Sequence, residues 1–327
     1  MFRTRGTPET FEEHIDMSIR STEGWYQFKG GAFVFNLIMV GDEAAGPIVS
    51  LLNAAPGSTL PVSPAHAHAS DSFRVALKGH IHMDPDVYGP GEFRFQEGWR
   101  VYPGHGDVTY GDEGQWEIVI MGDSRGQKMR PAVEFHPNPE NELLKHIAAD
   151  FGMAGGDIFS DDPAHGAGPS AIVTTLAPRL RMGKLTGSYA DAANWQAVAP
   201  GVRAAISLMG DPALGPVLVC TDVEPNGCAM PRARFGTELV RIVIAGSYRI
   251  GDRVYRQGDL RIQQPGAWCE EVHALDEGVR ELIVLGDRRH IDAQAAPGTD
   301  WPVSIVTHAA ALLKALADRP TPSRVAA

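Results

Sequence analysis

Cysteine, aromatic residues and positive charge are all scarce in this 327-residue chain, and each shortage excludes a class of protein. The three cysteines, Cys220, Cys228 and Cys269, lie in the second half without CxxC spacing. An odd, scattered set supports neither a disulfide framework nor a zinc knuckle and points to a reducing compartment. Lysine and arginine number 29 against 40 acidic residues, a net charge of −11, which argues against a general binder of phosphate backbones or anionic membranes. No apolar run approaches the ~20 residues of a membrane span. The stretch from Met1 to His14 is charged where a signal peptide needs an apolar core. The expectation is a cytoplasmic protein with no nucleic-acid or membrane partner. Other familiar chemistry is also missing. The glycine runs at 152–156 and 166–168 lack the Lys-Ser/Thr ending of a phosphate loop, no serine sits in a G-x-S-x-G elbow, and no histidine flanks a cysteine at an activating spacing.

What the chain has in abundance is turn residues, 36 glycines and 24 prolines, without the triplet period of collagen. At ~150 residues per domain the length suggests two domains, and the sequence repeats itself once. The block from Gly41 to Val49 recurs from Gly210 to Leu218, and Asp71 to Gly79 recurs as Glu238 to Gly246, matching Arg74 to Arg241. Pro103-Gly104 recurs as Pro265-Gly266, and Asp112 to Asp123 as Asp276 to Asp287. Four collinear blocks indicate duplication. Each copy reads as short β-branched or apolar runs bounded by Gly, Pro, Asp and Asn, among them 32–40, 73–77, 117–121, 239–244 and 281–285. Such strands without intervening helices indicate sandwiches or barrels.

Two helices are expected. One follows Asn138 and Pro139, carries Leu143, Leu144, Ile147 and Phe151 at helical spacing and ends at Gly152; the other runs from near Asp300 to Pro320. The intervening 152–169 stretch reads as a linker. The division is therefore 1–135 for the first barrel, 136–190 for helix and linker, and 191–327 for the second barrel with its terminal helix.

His66-Ala67-His68 is the sharpest chemical feature. Residues i and i+2 of a strand project to one face, so two imidazoles can share a first-row metal ion. A strand ending in Leu77-Lys78-Gly79 follows, then a glycine-rich segment reaching Tyr102-Pro103-Gly104-His105. This succession resembles the two motifs of the cupin superfamily, and with the duplication the chain resembles a bicupin over roughly residues 25 to 126 and 195 to 290. The resemblance implies an all-β fold of two tandem jelly-roll barrels with short connecting and C-terminal helices. It leaves function open, because cupins include dioxygenases, isomerases, decarboxylases, lyases and storage proteins.

The carry-over is partial. The family's glutamate ligand falls on Ser72 and its third histidine on Val108. The resemblance therefore implies a site of His66, His68 and His105, completed by Asp71 or water. In the second copy His66 and His68 fall on Ala233 and Phe235, so that barrel is expected to be metal-free and structural. A rival pair, His80 and His82, reads as the polar side of a hairpin. Arg74 and Arg241 share the inward strand parity, where a guanidinium needs a partner. Arg74 either holds a substrate carboxylate or meets Asp71, Glu117 or a dimer partner. Trp99, Tyr102 and Tyr110, together with Trp116, would flank the pocket. The resulting expectation is a metal-dependent enzyme on a small organic molecule, with Fe(II) favoured and Zn, Ni or Mn as alternatives, and oxygenase chemistry ahead of isomerase or lyase chemistry. A homodimer is expected. The competing expectation is a non-catalytic small-molecule binding or sensing protein.

Overall fold

The computed structural model describes residues 3–4, 13–28, 33–42, 46–60, 66–68, 70–83, 86–98, 108–123, 129–131, 172–176, 178–181, 184–297, 311 and 314. These are almost entirely β. The first expected helix lies outside the described residues; of the second, Ala311 and Lys314 are described and are helical. No helix among the described residues is long and apolar enough to cross a membrane.

Two large antiparallel sheets dominate, one of nine described strands and one of ten. In the first, strand Ser72–Lys78 lies between Gln115–Met121 and Glu92–Gln96. In the second, Leu239–Ile250 lies between Val272–Leu285 and Asp259–Gln263, the same neighbours 167 or so residues on. The duplication read from sequence is thus a duplication of sheet topology.

Alternation along the strands decides what each face does. Phe73, Val75 and Leu77 are buried in one hydrophobic cluster with Phe93, Phe95, Ile118 and Ile120, and the same cluster contains Val240, Ile242, Ile244, Leu260, Ile262, Leu282 and Val284 of the second sheet. One face of each sheet therefore packs on the other sheet, and each fully buried aliphatic or aromatic side chain there contributes about 1.5–3 kcal/mol relative to exposure. The opposite faces form two separate interiors. Tyr26, Leu37, Ile48, Val119 and Met121 cluster in the first barrel, and Leu239, Val243, Tyr248, Tyr255, Phe235 and Ile283 in the second.

The barrels also exchange strands. His14–Ser18, from the start of the chain, pairs with Asp259–Gln263 of the second sheet. Lys184–Ser188, which opens the second copy, pairs with Glu92–Gln96 of the first. The exchange is reciprocal to the residue: the Ile19 amide donates to the Gly258 carbonyl and the Tyr189 amide to the Gly91 carbonyl, both at 2.9 Å. Trp25 and Trp195 follow at matching positions and both join the shared cluster.

A second reciprocal contact sits where the loops after the paired strands meet. The Gly210 amide donates to Asp71 Oδ2 at 2.8 Å, and the Gly41 amide donates to Glu238 Oε2 at 3.2 Å. Gly210 and Gly41 have φ of 73° and 78°, a region that favours glycine. A Cβ on Gly210 would fall on the backbone of Gly122, 2.6 Å from its carbonyl carbon. Gly210→Ala should therefore cost at least about 2 kcal/mol. Gly57→Ala, with φ 68° and open space around it, should cost only the backbone strain of about 1 kcal/mol. Chemical denaturation of both variants checks this; equal losses would show that the inter-barrel contact carries nothing.

Candidate metal and substrate site in the first barrel

The HxH strand His66–His68 pairs with Met129–Pro131, and its counterpart Ala233–Phe235 pairs with Ala293–Ala295. The two short sheets are equivalent, so His66 and His68 occupy the register positions of Ala233 and Phe235, both buried in the second barrel's core. His68 is half-buried. His105, Trp99 and Tyr102 lie outside the described residues. Among the described residues no group of three or more His, Cys, Asp or Glu converges as metal ligands would.

Asp71, expected to complete such a site, has another task. It is buried, and its two oxygens accept the amides of Gly98 at 2.9 Å and Gly210 at 2.8 Å. Its carboxylate ties the loop after the Glu92–Gln96 strand to the second barrel. Strand parity explains the difference from expectation: Asp71 precedes Ser72 and shares the inter-barrel parity of Phe73. Glu117 is likewise committed, to Arg74 and to the Gln115 amide. With Asp71 and Glu117 engaged in these bonds, the two imidazoles of the HxH strand are a donor set whose chemistry fits a divalent ion.

Arg74 points into the first barrel, as its parity suggests, and of the partners open to it the structure shows Glu117. Arg74 Nη1 donates to Glu117 Oε1 at 2.7 Å. Tyr110 is buried beside them, and burial, then the Glu117 charge, pushes its phenol well up. The same pair recurs in the second barrel, where Arg241 donates to both oxygens of Glu281 at 2.6–3.0 Å. Both partners there are fully buried, whereas the Arg74 side chain keeps 18% of its exposure. That side faces a shallow cleft, too narrow to enclose a water molecule, lined by Arg74, Ile81, Tyr88, Glu92 and Arg94.

Four of these lining residues were missed at the level of sequence, although a signal was present. Val87-Tyr88 to Arg94-Phe95-Gln96 recurs as Val254-Tyr255 to Arg261-Ile262-Gln263, a fifth repeated block. It makes the second-barrel counterparts Arg241, Tyr248, Tyr255, Asp259 and Arg261. There the Tyr248 ring stands in place of Ile81 and lies 5.0 Å from that of Tyr255, so aromatic volume fills what the first barrel leaves open. The rival pair His80 and His82 is exposed, and Ile81 between them is buried, as a hairpin's polar and inner sides require.

The two barrels also differ on the exchanged strands. Arg261 Nε and Nη2 donate to Asp16 Oδ1 and Oδ2 at 2.9 and 3.2 Å, Tyr255 Oη donates to Oδ1 at 2.8 Å, and Arg253 stands 3.0 Å from Oδ2.

No family model matches the chain and no curated protein matches it. Solved structures do. A Nostoc punctiforme protein provisionally named a dioxygenase is 11% identical at a TM-score of 0.54, over 91% of this chain and 92% of that one. The chain is also similar to the coconut allergen cocosin, 12% identical at a TM-score of 0.48 over 92% and 93% of the two chains. A Lactobacillus farciminis oxalate decarboxylase, solved as a formate complex, is 11% identical at 0.44 over 97% and 98%. The chain has the bicupin fold, two jelly-roll barrels in tandem.

The Asp16 cluster has a consequence for acid stability. Burial alone would raise the Asp16 carboxyl, but the hydrogen bonds from Arg261 and Tyr255 and the charges of Arg261 and Arg253 outweigh it and hold it below 3.8. A lowered folded pKa means stability present above that value and lost as pH falls through the folded one. Asp16→Asn should cost about 1–3 kcal/mol at pH 7 and progressively less below about pH 4, read from denaturation midpoints of both proteins across pH. A constant difference would show that the charge of Asp16 is immaterial.

Proposed function

We propose that the first barrel binds one divalent metal ion through His66, His68 and His105 and acts on a small organic molecule, with dioxygenase chemistry and Fe(II) as the leading assignment. The observation that carries this reading is the inequality of the two barrels at matched positions. Imidazoles stand where the second barrel has Ala233 and Phe235, and Ile81 stands where it has the ring of Tyr248. Duplication alone produces equal barrels; the difference at the HxH strand concentrates imidazole donors in one of them.

A bound Fe(II) would supply open coordination positions for a bidentate oxygen substrate and for dioxygen. The chain's own residues would do the rest. The Arg74–Glu117 pair, held by Gln115, presents a fixed guanidinium on the barrel wall, and such a group orients an anionic substrate. Tyr110 stays a neutral phenol over the working pH range, because burial and the Glu117 charge oppose its ionisation, so it can donate a hydrogen bond. The apolar cluster of Leu37, Ile48, Val119 and Met121 keeps the floor of the barrel dry, which strengthens polar contacts above it.

Elemental analysis of purified protein, together with His66→Ala and His68→Ala variants, tests the reading. The expected result is about one equivalent of metal in the wild type and its loss in both variants, with far-ultraviolet circular dichroism unchanged. Substrate-dependent oxygen uptake on catechols, diketones and hydroxy acids should then follow the metal. No metal after anaerobic loading would overturn the enzyme in favour of a binding protein. Metal without oxygen uptake, but with isomer or cleavage products, would replace oxygenase by isomerase or lyase chemistry.

A further inference from the structure

The interior of the first barrel carries polar side chains at two positions where the second barrel is apolar. Val119 and Met121 belong to the first interior, and Gln115 and Glu117 share their strand parity. In the second barrel the same row is Val279, Glu281, Ile283 and Leu285. Register confirms the match, since Gln115 lies opposite Ala54 and Val279 opposite Val223, each at the same end of the equivalent strand pair. Tyr110 is matched to Ala274 in the same way: the Tyr110 amide donates to the Ser58 carbonyl and the Ala274 amide to the Gly227 carbonyl, both at 2.9 Å. A buried glutamine and a buried tyrosine thus stand where the second barrel has a valine and an alanine.

One end of Gln115 has a structural task. In the second barrel the Thr221 hydroxyl donates to Glu281 Oε1 at 3.2 Å. The residue at that place beside Glu117 is Leu52, and Gln115 Nε2 supplies the missing bond, donating to Glu117 Oε2 at 2.9 Å. A carboxylate only accepts, so this bond decides which end of the amide meets Glu117. The other end, Gln115 Oε1, is buried and has no hydrogen-bond partner. A threonine at position 52 would serve Glu117 without stranding an acceptor, and a buried acceptor without a donor is costly. The Tyr110 hydroxyl likewise makes no hydrogen bond among the described residues, although it stands near enough to Glu117 and Arg74 to feel both charges.

We propose that Gln115 and Tyr110 select for a hydroxyl group on the substrate, which donates to Gln115 Oε1 and accepts from the Tyr110 hydroxyl. This deepens the proposed function by naming the substrate class, and it rests on that reading for the ligand's being a substrate; the binding itself needs no metal. A hydroxyl both donates and accepts. A carbonyl or carboxylate oxygen has nothing to give Gln115 Oε1, and an ammonium cannot accept from Tyr110. A site with a buried acceptor also rejects an analogue lacking the donor, because that analogue leaves the acceptor stranded.

The test is a titration of the full-length protein, metal-loaded and chelator-treated, by calorimetry and saturation-transfer NMR. One set of probes is lactate against pyruvate, alanine and propionate, which share a carbon skeleton; the other is catechol against its dimethyl ether. In at least one set the hydroxylated member should bind at least about tenfold more tightly than its analogues. The double variant Leu52→Thr, Gln115→Val reproduces the second barrel's surroundings of its glutamate, so Glu117 keeps a donor while the stranded acceptor is gone. Its hydroxyl preference should fall below about threefold. Should that variant fail to fold, Tyr110→Phe removes a single oxygen and should reduce the preference at least about threefold. Equal binding within both sets, binding by no member of either, or a preference unchanged in these variants would each overturn the proposal, the first two leaving Gln115 Oε1 to an ordered water. A preference retained after chelation supports the proposal whether or not the wild type carries metal. A preference lost with the metal would place the hydroxyl on the metal and overturn it.

Discussion

The packing of one sheet face on the other is the constraint from which the rest of the structure follows. Phe73, Val75 and Leu77 meet a cluster that includes Val240, Ile242 and Ile244, so the alternate positions of the same strands have nowhere to go but into the barrels. That parity turns Arg74 and Arg241 inward, and an inward guanidinium demands a partner. Glu117 and Glu281 meet the demand from the neighbouring strand in each barrel. The reciprocal strand exchange has the same origin. Ile15 and Met17 of the exchanged strand pack on the shared cluster, which leaves Asp16 on the opposite face, against Arg261.

Buried ion pairs are weak evidence of stability, since desolvation offsets most of the attraction. Arg241–Glu281 is fully enclosed, with Thr221 adding a bond to Glu281 and the Tyr248 ring 5.3 Å from the guanidinium. Replacement by apolar residues of equal volume would be near neutral by that accounting, whereas loss of one partner would leave a stranded charge costing about 3–5 kcal/mol. The Arg74–Glu117 pair is not enclosed in the same way. Its guanidinium side keeps partial exposure beside a shallow cleft, so the same two residues are sealed in one barrel and reach the surface in the other.

The sequence carried the all-β class, the duplication and the equivalence of His66 and His68 with Ala233 and Phe235, because hydrophobic alternation and turn residues are local signals. It also carried the inward parity of Arg74, though not the choice among Glu117, Asp71 and a second chain. That choice depends on which strand lies alongside, and pairing across 43 residues leaves no local trace. The partners of Asp71 were open for a similar reason. Its partners, Gly98 and Gly210, are set by how the two barrels meet, and only the reciprocal Gly41–Glu238 contact reveals the pattern. The strand exchange escaped notice because the matching stretches, His14 to Phe28 and Lys184 to Val198, share little beyond Trp25 and Trp195. The cleft residues beside Arg74 are legible in principle, since Tyr88 and Arg94 match Tyr255 and Arg261 without a gap.

Three differences between the barrels, among the described residues, bear on how each interior is filled. Tyr248 replaces Ile81 and fills volume, Phe235 replaces His68 and removes a donor, and Asp16 replaces Thr186 and brings a carboxylate to Arg261. Relaxed constraint on one copy of a duplicated barrel would scatter changes, some opening space and some closing it. Here each of these three adds side-chain volume or an internal ion pair to the second barrel. A barrel closed in this way is a rigid partner for the shared apolar face. It bears on the first barrel through that face and through Asp71, whose carboxylate joins the Gly98 loop to Gly210.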